Sequence, residues 1–297
     1  MVKDDSLGSR LFEYFNMLLM VFLIIVTGYP ILHILAVSLS DPIISARGEV
    51  SIFPKGFTLD SYKIIWAAGT VPRAFVNSII YTVFGTLVNM LLTIMIAYAL
   101  SKKRLVFRGF YMKMVIVTMF FGGGLIPTFL VVRGLGMYDT IWALILPGAI
   151  SVFNMIILRA FFEQIPAEVE ESAFVDGAND FTVLFRIVIP LSMAAIATIT
   201  LFYLVSQWNS YLPALIYLKD AAKFPLTYVL RDIVIQGLMA REMAEAGEMD
   251  LTNAAHYMQA ENIKYSTLFV SIFPMLIVYP YLQKYFVKGI IVGSLKG

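Results

Sequence analysis

Six long apolar stretches limit the fold of this chain more than any other feature of its 297 residues. A helix needs about 20 mostly apolar residues to cross a bilayer, and each stretch is about that long. Only 14% of the residues are charged, whereas soluble domains have roughly 25%. The sequence therefore predicts an all-α, polytopic membrane protein with about six transmembrane helices, at roughly 12–38, 74–100, 111–132, 141–161, 192–218 and 265–286.

The same pattern predicts one transmembrane domain over residues 1–297, since no internal repeat or low-complexity segment divides it. The first apolar stretch, from Leu11 to Leu39, is longer than the 7–15 apolar residues of a cleavable signal peptide, so we expect a retained span. We expect the long loops at about 40–73 and 219–264 on one side of the membrane and the loop at about 162–191 on the other.

Basic residues in the short loops predict the orientation. The turn Ser101–Arg108 holds the densest group of Lys and Arg, and short loops rich in these residues lie in the cytoplasm. This places both termini and the loop 162–191 in the cytoplasm, and makes 40–73 and 219–264 outer loops. Lys and Arg are almost as numerous in the long outer loops, so the short loops decide the orientation.

Glycine and proline interrupt several of the predicted spans. A helix break frees backbone groups, and these are tolerated in a membrane only where protein or a water-filled cavity satisfies them. Each break alone is explained equally well by a kink that helps helices pack. Several together favour a bundle that moves around a polar path. The breaks are expected at Gly122–Gly124 with Pro127, Pro147–Gly148, Pro213, Pro274 and Pro280.

The cytoplasmic loop predicts two short helices with a turn between them. Pro166 suits the first turn of a helix, and acidic residues follow it where the helix dipole favours negative charge. Gly177 suits a left-handed helix end, Asn179 or Asp180 suits the next N-cap, and Pro190 leads into the fifth span. An ordinary amphipathic connector is the alternative to a docking element.

This loop resembles the EAA loop of ABC-importer permeases. The residues Glu171-Ser172-Ala173, Asp176-Gly177-Ala178, Phe185 and Pro190 match its pattern, with Ser172 in place of the usual alanine. Similar permeases often have a second proline where this chain has Ala194. The resemblance implies that the loop binds a cleft in a separate ATPase subunit. The coupling residues that it implies are Glu170, Glu171, Ala173, Asp176, Gly177, Ala178, Phe185 and Pro190.

Further segments resemble the carbohydrate-importer subgroup of these permeases, which is MalG-like and, in its details, of the LplC/YtcP type. Pro54–Tyr62 resembles its first outer loop, Trp208–Leu215 its fifth span, and Lys296-Gly297 ends a tail that reaches the ATPase dimer. The resemblance implies a type I ABC-importer transmembrane domain in the bacterial cytoplasmic membrane. It also implies oligosaccharide substrates, with acidic alginate- or pectin-type oligosaccharides as a lead.

The partners implied by the resemblance are a second homologous permease, two ABC ATPase subunits that hold ATP and Mg²⁺, and an extracytoplasmic solute-binding protein. The loop 219–264 is expected to help receive the binding protein, and a solvated surface helix is the alternative for it. An ABC importer of a non-carbohydrate solute remains the alternative function within the family.

Polar residues inside apolar spans predict a substrate path. Such residues are costly in lipid and face the bundle interior, where amides and aromatic rings suit a sugar. The alternative is that the amides join helices and the rings anchor at the interface. The expected path residues are Asn77, Asn154, Gln207, Trp208, Asn209 and Tyr211, with Asn89 and Ser210 as further interior polar groups.

The sequence also argues against several other classes of function. It has no cysteine, and its two histidines, His33 and His256, lack ligand spacing, so we expect no metal site and no bound cofactor. No P-loop motif occurs, so ATP must be hydrolysed by another subunit, and we expect a non-catalytic chain. Nothing favours nucleic-acid binding. A secondary transporter is the remaining rival, but the spans hold almost no internal carboxylate.

Overall fold

The computed structural model describes the backbone of residues 7–245 and 251–294, with side chains up to residue 239, at residue 242 and at residues 259–280. All regular secondary structure in these ranges is helical. The predicted all-α fold is therefore confirmed for the described chain. Lys296 and Gly297, the expected contacts of the C-terminal tail, lie outside the described residues.

Fifteen α-helices occur in the described ranges. A π-helical stretch, Leu184–Val188, joins α10 to α11. The helices are α1 Leu7–Ser38, α2 Pro42–Ala46, α3 Asp60–Ala67, α4 Thr70–Ser101, α5 Arg108–Phe120, α6 Leu125–Gly134, α7 Ile141–Ile145, α8 Val152–Glu163, α9 Ala167–Val175, α10 Asp180–Val183, α11 Ile189–Leu191, α12 Met193–Trp208, α13 Leu212–Tyr217, α14 Leu226–Glu245 and α15 Leu251–Ser294.

By length and composition, three described helices could cross a membrane, or up to six, the predicted number, if each bent pair is one span. Three are long and apolar enough alone: α1, α4 and the part of α15 at Gln259–Pro280. Three bent pairs also qualify by length and composition if each pair is one span. These are Arg108–Phe120 with Leu125–Gly134, Ile141–Gly148 with Val152–Glu163, and Asp180–Leu191 with Met193–Trp208.

The breaks expected at Gly122–Gly124 and Pro147–Gly148 are confirmed. The first pair of helices bends by 115° and the second by 58°, and Gly124 lies in the left-handed region with φ +78°. The third pair bends by 87° after Leu191. Pro213 stands in the first turn of α13, after the break that follows Trp208.

The breaks expected at Pro274 and Pro280 are wrong, because both prolines lie inside the continuous helix α15. A proline removes only its own N–H from the ladder and frees one carbonyl, four residues earlier. The remaining hydrogen bonds hold a helix of 44 residues together, and a membrane helix tolerates such a loss where neighbouring groups satisfy the freed carbonyl.

Two compact units make up the chain, each from two separate segments. The first comprises residues 1–72 and 230–273. In it, the amide of Asn262 donates to the Ser40 carbonyl at 2.6 Å, and Tyr265 packs against buried Ala36 and Val37. Most of α1 before these residues exposes its apolar side chains, as expected of a helix in lipid. That residues 1–297 form a single domain stays a prediction.

The second unit comprises residues 73–229 and 274–297 and holds the main described core. This core joins α4, α8, α10 and α12 around fully buried side chains such as Met155, Leu158 and Ile199. Fully burying an aliphatic side chain of this size contributes about 1.5–3 kcal/mol, so the core holds these four helices together. Ala173 and Ala178 of the cytoplasmic loop pack on its edge.

One face of α4 is polar although it is buried in this second unit. Its side chains recur at helical spacing and are all less than a tenth exposed. The Thr93 hydroxyl hydrogen-bonds the Tyr203 hydroxyl at 2.7 Å, and that hydroxyl accepts from the Ser151 N–H at 2.9 Å. We call the face the polar stripe of α4; it comprises Ser78, Thr82, Thr86, Asn89 and Thr93.

Candidate coupling segment and cavity

Residues 167–191, here called the coupling segment, fold as a helix, a left-handed turn and a second helix, as the sequence predicts. Helix α9 ends where the N–H of Ala178 donates to the Ala173 carbonyl at 2.9 Å and the N–H of Gly177 donates to the Phe174 carbonyl at 3.0 Å. This is a Schellman motif, and Gly177 takes the positive φ of +84° that it requires. Pro166 stands at the N-cap of α9, one position before its first turn.

The second helix of the coupling segment starts at an asparagine cap. The side-chain oxygen of Asn179 accepts from the Thr182 N–H at 2.8 Å and from the Thr182 hydroxyl at 2.9 Å. The helix then widens into the π-helical stretch around Phe185. Such insertions are rare and are frequent at functional sites. After Leu191 the chain turns into α12.

Ion pairs fasten this segment to the basic turn that follows α4. Lys102 pairs with Glu170, Arg104 with Asp180, and both Arg108 and Arg159 with Glu163. We call this group the charged cluster; it comprises Lys102, Arg104, Arg108, Arg159, Glu163, Glu170 and Asp180. The pairs bring the basic turn and the acidic loop together, as expected of two loops on one side of the membrane; that this side is the cytoplasm stays a prediction.

The pairs of the charged cluster differ in burial. The side chains of Lys102 and Glu170 are only 14% and 12% exposed, whereas those of Arg104 and Asp180 are 54% and 58% exposed. Exposed pairs contribute about 0–1 kcal/mol, but removing one partner of a buried pair costs about 3–5 kcal/mol. The Lys102–Glu170 pair is therefore the firmer link between α9 and the end of α4.

Two arginines also reach the C-terminal end of α4. The Nε–H groups of Arg108 and Arg159 donate to the Leu100 carbonyl at 2.7 and 3.2 Å. A helix C-terminus carries partial negative charge and unsatisfied carbonyls, so cations are favourable there. The charged cluster thus holds α4, α8 and the coupling segment at one point.

The eight expected coupling residues divide into two sets. Glu171, Asp176, Gly177, Phe185 and Pro190 are exposed. Glu170, Ala173 and Ala178 face the chain itself, through the Lys102 pair and the core. Of the exposed set, Glu171 lines a cleft of about 950 Å³ whose other walls include the basic turn and the rest of α9. The docking roles of all eight residues stay predictions.

Sequence reasoning used the basic turn only to orient the chain and did not identify it as a partner of the acidic loop. The available signal was that two loops of opposite charge had been assigned to the same side of the membrane. Among the described residues, no three Asp, Glu or His side chains come together as a metal site needs.

A cavity of about 450 Å³ lies in the same unit, next to the polar stripe of α4. None of the residues that line it is charged. Its walls combine apolar side chains with amides and hydroxyls. The polar lining residues are Asn89, Thr128, Ser151, Asn154, Tyr203, Ser206, Gln207, Ser210 and Tyr217.

Two of the six expected path residues, Asn154 and Gln207, line this cavity, and the other four do not. The Asn77 amide donates to the carbonyls of Ala222 and Phe224 at 2.8 and 3.1 Å, so it holds a loop. The Trp208 side chain is buried and meets Phe75 edge to face. The Asn209 amide donates to Val205 of its own helix, and Tyr211 is exposed at the N-cap of α13. Their path roles stay predictions.

A third polar arrangement closes the turn between α6 and α7. Asp139 has a left-handed backbone with φ 60°, and its Oδ1 accepts from the N–H groups of Lys219 and Asp220 at 3.0 and 3.2 Å. The Lys223 ammonium donates to Oδ2 at 2.6 Å. These hydrogen bonds, that of Lys223 foremost, lower the pKa of the Asp139 carboxyl to about 2.

No family model matches the chain, but individual proteins do. It is 43% identical over 292 residues to the polygalacturonan/rhamnogalacturonan transport system permease protein YtcP of Bacillus subtilis strain 168, a match that covers 97% of this chain and 99% of YtcP. It is 42% identical over 297 residues to protein LplC of the same organism, covering 99% of this chain and 97% of LplC.

The fold also matches a solved structure, that of a bacterial ABC transporter involved in the import of the acidic polysaccharide alginate. The TM-score is 0.83 and the sequence identity 32%. The match covers 95% of this chain and 98% of the chain in that structure.

Proposed function

Because this chain belongs to the family of carbohydrate ABC transporter permeases, we propose that it is the membrane-spanning subunit of an ATP-driven oligosaccharide importer. The predicted fold, an all-α ABC-importer transmembrane domain, is confirmed by the structural match to the alginate transporter. The proposal adds the orientation, with both termini and the coupling segment in the cytoplasm of a bacterium. It also adds the coupling to ATP and the substrate.

The partners in this proposal are a second homologous permease, two ABC ATPase subunits and an extracytoplasmic solute-binding protein. The binding protein delivers substrate to the outer face. ATP-driven closure of the ATPase dimer moves the coupling segments, and the two permeases reorient about a shared central path. This chain catalyses no reaction itself and binds no cofactor; ATP and Mg²⁺ belong to the ATPase subunits.

The observation that carries the proposal is the coupling segment, held to α4 by the charged cluster. A segment that transmits force has to be rigid and firmly attached. The Schellman motif and the Asn179 cap make it rigid, and the mostly buried Lys102–Glu170 pair attaches it. A Cβ atom built at Gly177 meets nothing within 4 Å, so the turn has open space through which another surface approaches the backbone.

Acidic oligosaccharides of the pectin or alginate type are the proposed substrates. The support is the 43% identity to a polygalacturonan/rhamnogalacturonan permease and the match to an alginate transporter. Galacturonate and the alginate sugars share hexose hydroxyls and a carboxylate. We expect a member of the same family that carries neutral solutes not to transport these sugars with their carboxylate charged.

The test is transport by the purified complex. The chain is co-expressed with its second permease and ATPase, reconstituted in liposomes, and supplied with its binding protein. ATP hydrolysis and uptake are measured with oligogalacturonides, alginate oligosaccharides and neutral glucose oligosaccharides. A complex whose ATPase carries a Walker-type lysine substitution serves as the control.

Acceleration of ATP hydrolysis and uptake by the uronic oligosaccharides, absent in the control, is the expected result. ATP hydrolysis that no saccharide stimulates would point to a non-carbohydrate solute. Uptake that continues in the ATPase-deficient complex would point to a secondary transporter and would overturn the proposal.

A further inference from the structure

An apolar groove of about 660 Å³ lies where α4 ends, between the turn that follows it and the start of α10. We call it the α4-end groove. Its rings and aliphatic side chains at 106, 107 and 181 are exposed, and clustered apolar side chains with this exposure indicate a contact with something outside the chain. The main apolar side chains of the groove are those of Met95, Leu105, Val106, Phe107, Phe181 and Leu184.

The α4-end groove continues an exposed apolar row along α4. Leu87, Leu91 and Met95 are exposed and recur every four residues, so they share one face of the helix. The row ends at Ala99, which lines the groove together with Met95. From Leu87 to Ala99 it extends about 18 Å, close to the roughly 15 Å of hydrocarbon in one leaflet. One acyl chain therefore fits along the row and into the groove.

Phe107, in the wall of the groove, has a strained backbone. Its φ of 58° lies in the left-handed region, which is unfavourable for a residue with a Cβ atom and rare for a bulky one. The side chain is nevertheless 73% exposed, so contacts within the described chain contribute little to holding it there. Aromatic rings are stabilised at the level of lipid headgroups. The conformation of Phe107 thus favours a lipid as the partner of the groove.

The groove also has an accessible cation, Arg104, whose side chain is 54% exposed. One of its nitrogens donates to the Asp180 carboxylate, whereas a guanidinium carries five N–H donors. The other cation of the groove, Lys102, is mostly buried and paired with Glu170. Arg104 is therefore the group that can receive a phosphate, whose oxygens match the planar guanidinium.

We propose that the α4-end groove binds an anionic phospholipid, with an acyl chain on its apolar wall and the headgroup phosphate on Arg104. A zwitterionic lipid balances its phosphate with its own cation, which the neighbouring basic turn disfavours. The inference goes beyond the proposed function and rests on it only for the leaflet, the cytoplasmic one. Because Asp180, Phe181 and Leu184 belong to the coupling segment, the lipid contacts that segment as well as α4.

The experiment places a fluorescent label in the groove. The chain has no cysteine, so Val106→Cys provides one labelling position, and Leu87→Cys provides a reference on the row outside the groove. Each labelled chain is assembled with its second permease and ATPase subunits in vesicles of phosphatidylglycerol and phosphatidylcholine. Either lipid is supplied in a brominated form, which quenches a label that it touches. The unsubstituted complex, treated with the same label, gives the background.

The label at position 106 should prefer phosphatidylglycerol about fivefold, the effect of one basic residue near a membrane surface, and the label at position 87 should show no preference. In the labelled Val106→Cys chain, Arg104→Gln should abolish the preference. Lys103→Gln is the matched control, because it removes the same charge from the same turn but Lys103 lines the neighbouring cleft and not the groove. Asp180→Asn removes the carboxylate that competes for Arg104 and should raise the preference.

Equal quenching by the two lipids at position 106 would overturn the proposal, because the groove would then be an ordinary apolar surface in the bilayer. No quenching by either lipid would show that another subunit covers the groove and would overturn it too. Equal losses in Arg104→Gln and Lys103→Gln would assign the preference to the whole basic turn. The readout requires no transport, so a lipid preference without saccharide uptake contradicts only the proposed function, and uptake without the preference contradicts only this inference.

Discussion

The charged cluster and the cavity lie in the same unit and both adjoin α4, yet they are built in opposite ways. In the charged cluster each side chain has a partner of opposite charge. In the cavity the polar groups are neutral, and Asn89 has an acceptor without a donor. The charges of the first arrangement are paired within the chain, whereas the second contains a buried acceptor without a described partner.

This difference indicates two kinds of polar group in one unit: paired charges that attach segments to each other, and neutral groups that line a cavity. Charges inside an apolar bundle are costly unless they are paired, and the pairs of the charged cluster stand at the end of α4, where they hold the coupling segment. A neutral amide without a partner costs less free energy to bury than an unpaired charge. The predictions that follow test whether attachment and binding are separate.

The largest effect is expected for Gly177→Arg, which leaves attachment intact and blocks docking. The Cβ position is open, and the left-handed φ costs about 1–2 kcal/mol for a residue other than glycine, so the complex should still form. Uptake in liposomes should fall roughly tenfold or more, the size of a central interface substitution.

Gly136→Arg is the matched control, because Gly136 has a similar φ of +70° and equally open space but lies outside the coupling segment. It should change uptake by less than about twofold. Equal losses in the two variants would mean that backbone strain, and not docking, explains the Gly177 result.

A smaller but clear effect is expected when the buried ion pair is broken. Lys102→Met keeps an apolar stem over the Tyr98 ring, on which Lys102 now lies at 4.2 Å, but leaves Glu170 without its counter-ion. The cost should be about 3–5 kcal/mol, seen as a lower thermal midpoint of the purified complex. Arg104→Met breaks the exposed pair and should cost at most about 1 kcal/mol.

The double variant Lys102→Met with Glu170→Met removes both buried charges and should recover much of the lost stability. If Lys102→Met and Arg104→Met lower the midpoint equally, burial does not distinguish the two pairs. The Lys102–Glu170 pair would then not be the firmer attachment of the coupling segment.

The smallest effect is expected for Asp139→Asn, which tests a paired charge far in sequence from the charged cluster. Asparagine keeps the left-handed turn and loses only the charge that Lys223 contacts. The folded carboxyl has a pKa of about 2, below the roughly 3.9 of an unfolded Asp. Its contribution is therefore present above pH 4 and is lost as the pH falls towards 2.

The thermal midpoint of Asp139→Asn should accordingly lie below that of the unsubstituted protein by the same amount at pH 7 and pH 5, and by less at pH 3. Lys223→Met removes the other partner of this ion pair and should lower the thermal midpoint by a similar amount at pH 7. A difference that stays constant down to pH 3 would exclude the carboxylate as its source.

Local features of the coupling segment could be predicted because the interacting residues are close in sequence. Gly177 and Asn179 end and begin helices through hydrogen bonds that reach no further than five positions. The Lys102–Glu170 pair joins residues 68 positions apart, and no pattern in one sequence specifies which of several bases meets which acid.

The cavity was less predictable for a related reason. A polar residue in an apolar span must find a partner or a polar space, but the sequence does not say which. Asn77 finds the carbonyls of Ala222 and Phe224, whereas Asn154 and Gln207 reach the cavity. Likewise, Gly122–Gly124 predicted a break, while the angle of 115° depends on how the two helices pack.

The length of α4 has a mechanical consequence. It is a single helix of 32 residues, and Asn89 lies twelve residues, or about 18 Å, from its charged end. A stiff rod of this length is a lever. If the charged end is the pivot, a tilt of about 10° displaces Asn89 by about 3 Å, roughly the length of one hydrogen bond. A tilt of this size would therefore change which groups the Asn89 amide can contact in the cavity.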